Sequence, residues 1–131
     1  MAEYLAFWPK AAMVSAVSGS GSGNAALIYT KAMPTNRFTE VVAQLEIDAD
    51  LLGGNNRVDC VPQISNDGVS WQAGTGFSTV TSVAAGGSFP AKETIKITTI
   101  AAFMRFKVSL WDSGGAVSVG ATLAIWAVGR S

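Results

Sequence analysis

Alternating side chains between Phe103 and Trp111 constrain the fold more than any other part of the sequence. Every second residue of this stretch is apolar: Met104, Phe106, Val108 and Leu110. The residues between them are polar: Arg105, Lys107 and Ser109. A period of two predicts a β-strand with one face in a core and the other toward solvent or a partner. A second apolar run, Val117–Val128, follows the turn residues Asp112–Gly115, so we expect the two strands to pair as a hairpin.

Glycine, asparagine and proline turns divide the rest of the chain into six further strand candidates. These are Ala25–Thr30, Arg37–Asp48, Val58–Ser65, Val69–Gln72, Phe77–Val83 and Thr94–Ile100. Pro62 cannot donate to a β-ladder, so its strand is expected at a sheet edge or a bulge. Asn66-Asp67-Gly68 predicts a tight hairpin turn, because Asp-Gly suits a left-handed backbone.

About eight strands, spaced about 8–12 residues apart and with no convincing helix, predict an all-β fold. We expect an antiparallel two-sheet β-sandwich that resembles a jelly roll. An immunoglobulin-like sandwich is the second choice, because it usually carries a Cys–Trp–Cys pattern, which a chain with one cysteine cannot supply. Cys60 is the only cysteine of this chain, and its phase with Val58 and Ile64 predicts a small core residue.

The composition indicates one domain, residues 1–131, that lives in an assembly. Charged residues make up 14% of the chain and the net charge is +0, whereas a typical soluble domain has about 25% charged residues. Few charges and no net repulsion favour self-association into a homo-oligomer, of which a trimer is one candidate. The alternative is a compact monomer covered by serine, threonine and glycine.

Residues 1–24 are a candidate N-terminal arm followed by a Gly/Ser-rich connection. Tyr4–Val17 is apolar and Gly19–Asn24 is rich in glycine and serine. An ordinary first strand is the equal alternative for the apolar part. Glu3, Pro9 and Lys10 do not fit a signal peptide, and no apolar run is long enough for a membrane span, so we expect no membrane partner.

Candidate chemistry is sparse. The chain has no histidine, the usual base of a hydrolytic triad, and its nine basic residues are scattered, which argues against nucleic acid. Glu46, Asp48 and Asp50 share one predicted strand face, which we interpret as solvated, neither catalytic nor metal-binding. We therefore predict a protein that is not an enzyme and that uses no metal or cofactor.

Large aromatic residues are the candidates for contacts with partners. Tyr4, Phe7, Trp8, Trp111 and Trp126 are the predicted interface residues. Trp71 and Trp111 are the alternative candidates for stacking on sugar rings, as in a carbohydrate-binding module or adhesin domain.

Two motifs resemble small β-sandwich virion proteins of tailed bacteriophages. Residues 65–71 (Ser-Asn-Asp-Gly-Val-Ser-Trp) are similar to the S-N-D-G-x-x-W hairpin of that family. Residues 103–109 are similar to the aromatic-x-Arg-x-Lys/Arg-x-Ser strand that often follows it, and residues 120–127 fit the same ending. The resemblance covers about residues 58–128 and leaves out the apolar N-terminal stretch.

The resemblance implies a decoration, cement or minor capsid protein, or a related head or tail component. Such a protein is made in the host cytoplasm and resides in the virion. Its partners would be copies of itself and the major capsid or another virion protein. The strand order, the subunit number and the virion part stay open at this point.

Overall fold

The computed structural model describes residues 2–16, 23–50, 57–77, 80–81, 91–112 and 118–131. These residues form ten β-strands and no helix, which confirms the all-β prediction. The strands are β1 (Ala2–Ala16), β2 (Gly23–Tyr29), β3 (Met33–Pro34), β4 (Glu40–Asp50), β5 (Arg57–Ser65), β6 (Gln72–Ala73), β7 (Val80–Thr81), β8 (Ala91–Ile97), β9 (Phe103–Asp112) and β10 (Ser118–Arg130). No helix in this described part is long and apolar enough to cross a membrane.

The strands form two antiparallel sheets with jelly-roll connectivity. Sheet I has the order β1-β10-β4-β8. Sheet II has the order β2-β9-β5-β6, with β3 also on β9 and β7 also on β5. The pairs are nested along the chain, with β1 on β10, β2 on β9, β4 on β8, and β5 on β6 and β7. A nested antiparallel ribbon folded into two sheets is the jelly roll expected from the sequence.

The predicted hairpin between β9 and β10 is wrong. β9 lies in sheet II between β2 and β5, whereas β10 lies in sheet I between β1 and β4. Both backbone edges of each strand are therefore occupied by other partners. β9 and β10 therefore lie in opposite sheets, and the inward residues of both strands contribute to the core. Residues 113–117, which include most of the predicted turn Asp112–Gly115, lie outside the described residues.

Alternating apolar residues from both sheets fill the core. In β9 the inward residues Met104, Phe106, Val108 and Leu110 are all fully buried, as their spacing predicts. In β4 the inward residues are Val41, Ala43, Leu45 and Ile47. The Phe106 ring lies between Phe7, 5.0 Å away and edge-on, and Phe77, 5.9 Å away. Burying each large side chain contributes about 1.5–3 kcal/mol, so this layer holds the two sheets together.

Cys60 is a buried core residue, as predicted, whereas Pro62 lies on β5, an inner strand of sheet II between β9 and β6. Cys60 is 1% exposed, and its burial raises the pKa of the thiol. The carbonyls of Cys60 and Pro62 accept hydrogen bonds from the backbone N–H groups of Phe77 and Gly74. These carbonyls point away from β9, and an antiparallel residue directs its nitrogen to the same side as its carbonyl. The side of Pro62 that lacks an N–H donor therefore faces β6 and β7, the short and interrupted partners of β5.

The N-terminal stretch forms the first strand of sheet I. β1 pairs with β10 from Ala2 opposite Arg130 to Ala16 opposite Ser118. The register shifts on both sides of Trp8, in the region of Pro9. A proline at a bulge of an edge strand interrupts a ladder that could otherwise template aggregation. Residues 19–22 of the predicted Gly/Ser connection Gly19–Asn24 lie outside the described residues.

Gly129 of β10 gives a test of the packing around this strand. A Cβ atom at Gly129 would lie 2.5 Å from two ring atoms of the buried Phe38. We predict that Gly129→Ala lowers the free energy of unfolding by about 1–3 kcal/mol, because the ring cannot yield without disturbing the core. Urea unfolding measures this loss.

Gly74→Ala is the matched control for Gly129→Ala. Its Cβ would meet Pro62 Cγ at 3.5 Å, which is an ordinary contact. The control should change stability by no more than about 0.5 kcal/mol. Equal losses for the two variants would contradict the packing described for Phe38.

Candidate functional site: the outer faces of the two sheets

The outer face of sheet I has an uncharged, apolar centre. Its side chains alternate with the core residues and point away from sheet II. Register places Tyr4, Val128 and Val42 in one row across three strands, and Ala6 and Trp126 in the next row. Tyr4 is 64% exposed and Trp126 is half-buried by its neighbours on the sheet. We call these five residues, Tyr4, Ala6, Val42, Trp126 and Val128, the apolar face.

Charged residues beside the apolar face are paired within the chain. Glu40 contacts the Lys96 ammonium at 3.1 Å and the Arg130 guanidinium at 3.8 Å. Glu46 contacts the Lys92 ammonium at 3.7 Å. Such surface pairs contribute little to stability. These two acidic and three basic side chains give the rim next to the apolar face a formal charge of +1, and each of the five has an oppositely charged neighbour.

The predicted interface residues fall in different places. Tyr4 and Trp126 lie together on the apolar face. Phe7 is a correction to the prediction, because it is 3% exposed and packs edge-on against Phe106, so it is unavailable to a partner. Its phase with the buried Leu5, two residues earlier in the same strand, explains this position. The side chains of Trp8 and Trp111 lie outside the described residues, although their backbones belong to β1 and β9.

An arginine held between two aromatic rings marks the outer face of sheet II. The Arg105 guanidinium lies 4.0 Å from the centre of the Tyr29 ring and 4.1 Å from the centre of the Trp71 ring. Its Nε donates a 2.8 Å hydrogen bond to Gln63 Oε1. β9 and β5 place Arg105 opposite Gln63, β2 supplies Tyr29, and the loop after β5 supplies Trp71. Three cation–π and hydrogen-bond contacts therefore fix one side chain.

Sequence reasoning missed this cluster. The alternation in β9 predicts only that Arg105 points outward. The neighbours of Arg105 come from strands far away in the chain, so the pairing depends on the strand order. The two motifs that resemble phage proteins contain Trp71 and Arg105, but their spacing along the chain does not indicate that the two side chains touch.

A hydrogen-bonded loop, residues 65–71, carries Trp71. The Asp67 carboxylate accepts from the backbone N–H groups of Val69 (2.8 Å) and Ser70 (2.7 Å), and from the Ser65 hydroxyl (2.9 Å). The Ser65 hydroxyl oxygen accepts in turn from the N–H of Gly68 at 2.9 Å. These donors lower the pKa of Asp67 to about 2. The loop is thus defined by its own side chains.

The expected turn is present but wider than predicted. Gly68 has a φ of 76°, which confirms the left-handed backbone expected for Asp-Gly. The predicted strand Val69–Gln72 is reduced to β6, Gln72–Ala73, because Val69 and Ser70 donate to Asp67 and not to a neighbouring strand. The predicted tight hairpin is therefore a longer loop.

Sugar stacking on Trp71 stays a prediction. One face of the Trp71 ring is covered by Arg105, so only its other face could meet a sugar. A shallow recess with polar side chains lies on the same outer face, lined in part by Asp59, Gln63, Lys107 and Ser109. The second candidate, Trp111, has its side chain outside the described residues.

Of the three carboxylates singled out in the sequence, only Glu46 has a described side chain. Glu46 pairs with Lys92, and the side chains of Asp48 and Asp50 lie outside the described part of the chain. Among the described residues, no three histidine, cysteine or acidic side chains are grouped to hold a metal ion. The prediction that the protein is not an enzyme stays a prediction.

Comparison with known proteins supports the fold. No protein-family model matches the chain, and neither does any curated protein. The chain is similar to a chain in the structure of infectious bursal disease virus, Gx strain, with a TM-score of 0.63 and 10% sequence identity. The similarity covers 100% of this chain and 33% of that chain, so this chain spans about one third of its length. At this identity the similarity shows a shared fold.

The lowered pKa of Asp67 predicts a pH dependence of stability. Because the folded pKa lies below the usual value of 3.8, ionised Asp67 stabilises the fold above about pH 4, and this contribution is lost as the pH falls toward 2. Wild type and Asp67→Ala should differ in free energy of unfolding at neutral pH and converge near pH 2. A difference that stays constant between pH 2 and pH 7 would contradict the hydrogen bonding described for Asp67.

Arg105→Lys tests the cluster on sheet II. Lysine keeps the charge but cannot stack a planar group on Tyr29 and Trp71 or donate from Nε to Gln63. We predict a loss of about 1–2 kcal/mol in unfolding free energy. Lys107→Ala, two residues along the same face, is the control and should cost less than about 0.5 kcal/mol. Equal losses of unfolding free energy in Arg105→Lys and Lys107→Ala would contradict a stabilising role for the cluster.

Proposed function

We propose that this chain is a non-enzymatic structural protein of a virus particle. The observation that carries the proposal is the nested jelly roll, which over its whole length resembles part of a chain in a virus structure. Jelly rolls recur in viral capsid and lectin domains, so the fold narrows the classes of function. A structural role needs surfaces for neighbours and needs no catalytic group.

The surface chemistry supports assembly in a particle. Only 14% of the residues are charged, the net charge is +0, and each charged residue of the described pairs beside sheet I has an oppositely charged neighbour. Neighbouring molecules therefore meet little electrostatic repulsion. The apolar face gives them area from which water is favourably excluded, at about 25 cal/mol per Å².

The finer assignment is a decoration, cement or minor capsid protein of a tailed bacteriophage. The two motifs that resemble that family form one spatial unit, because Trp71 of the first motif stacks on Arg105 of the second. A side-chain contact that joins two motifs far apart in the chain gives a physical reason for finding them together. In this role the partners are other copies and the major capsid or another virion protein, and the location is the virion.

The test is whether the chain is part of purified particles. Particles from a lysate that carries the gene are banded in a caesium chloride gradient, and their proteins are quantified by mass spectrometry. We expect this chain to band with the particles in a fixed ratio to the major capsid protein. Its presence only in the soluble fraction would contradict the proposal.

A further inference from the structure

We propose that the outer face of sheet I is the contact between two copies of this chain, packed sheet on sheet around a twofold axis. This inference rests on the proposed function and names one of its partners. The apolar face lies at the centre of this contact, with Trp126 on the interior strand β10.

The dimensions of sheet I match those of a stable interface. Four strands spaced by about 4.8 Å, with the longer strands rising about 3.4 Å per residue, span a surface of about 800 Å². A standard protein–protein interface buries about 800 Å² on each partner. The sheet is therefore large enough without any contribution from elsewhere on the molecule.

The composition of the face is that of the centre of an interface. Tyr4, Trp126, Val42 and Val128 form adjoining rows and carry no charge. Interface centres are depleted in charge and enriched in tyrosine and tryptophan. Tyrosine and tryptophan are also the residues at which truncation most often weakens binding.

The charges favour a second copy as the occupant. Glu40 and Glu46 are already bonded to basic residues of the same chain, so the rim does not need opposite charges from a partner. A copy brings the same ion-paired rim, so that each of these described charges keeps an oppositely charged partner when the contact forms. The same patch can then serve on both subunits, as a twofold interface requires. The net charge of +0 leaves two copies free to approach.

The experiment measures solution mass by light scattering after size exclusion for the full chain and three variants. Val128→Arg and Tyr4→Glu each place a charge on the apolar face while leaving the core residues unchanged. Leu27→Arg is the matched control, because Leu27 is 44% exposed and lies on the outer side of sheet II. Circular dichroism confirms that each variant is folded. If Val128→Arg unfolds the chain, Tyr4→Glu alone serves as the test, because Tyr4 is mostly exposed.

At about 100 µM, wild type is expected at twice the 13.5 kDa chain mass or an even multiple of it. The two face variants should weaken dimerisation about tenfold or more, and Leu27→Arg should leave it unchanged. A wild-type monomer, an odd-numbered oligomer, or a dimer lost only in Leu27→Arg would overturn the proposal.

Particle composition separates this inference from the virion role. If the chain bands with particles while the face variants dimerise like wild type, the twofold contact is wrong and the virion role stands. If the face variants lose the dimer while wild type is absent from particles, the contact is right and the virion role is wrong.

Discussion

Packing of alternate side chains between the two sheets is the interaction on which the rest of the structure depends. Phe106 of β9 is fully buried and touches Phe7 from sheet I and Phe77 beyond β5. Because a strand directs successive residues to opposite sides, burying one set displays the other set on the outer faces. Arg105 and Trp126 are thus presented to the surroundings by the same alternation that buries Phe106 and Ile125.

The contrast between β9 and β10 shows how much of the fold follows from the sequence. The alternation from Met104 to Leu110 is local, so it predicts the strand and its buried face. Pairing is decided by partners far apart in the chain, so the expected β9–β10 hairpin is wrong. The jelly-roll class was predictable from strand number and turn spacing, and the strand order was not.

The candidate surfaces, like the fold, could be predicted from the sequence only in part. Tyr4 and Trp126 were predicted as interface residues from their size, and both lie on the apolar face. Phe7 is in the core, because it alternates in phase with the buried Leu5, whereas Tyr4 and Ala6 point outward. The stack of Tyr29, Arg105 and Trp71 needs the order of β2, β9 and β5, which no local pattern contains. The sequence indicates which side chains are large or charged, but it does not indicate which of them lie next to each other.

A cryo-electron microscopy reconstruction of the purified particle tests the central claim, a jelly-roll subunit built into a virion, most directly. The account predicts density for this jelly roll at symmetry-related positions, with the outer face of sheet I buried against another copy. A particle map that contains no such density would contradict the virion role. Density in which Tyr4 and Trp126 face solvent would contradict the contact assigned to sheet I.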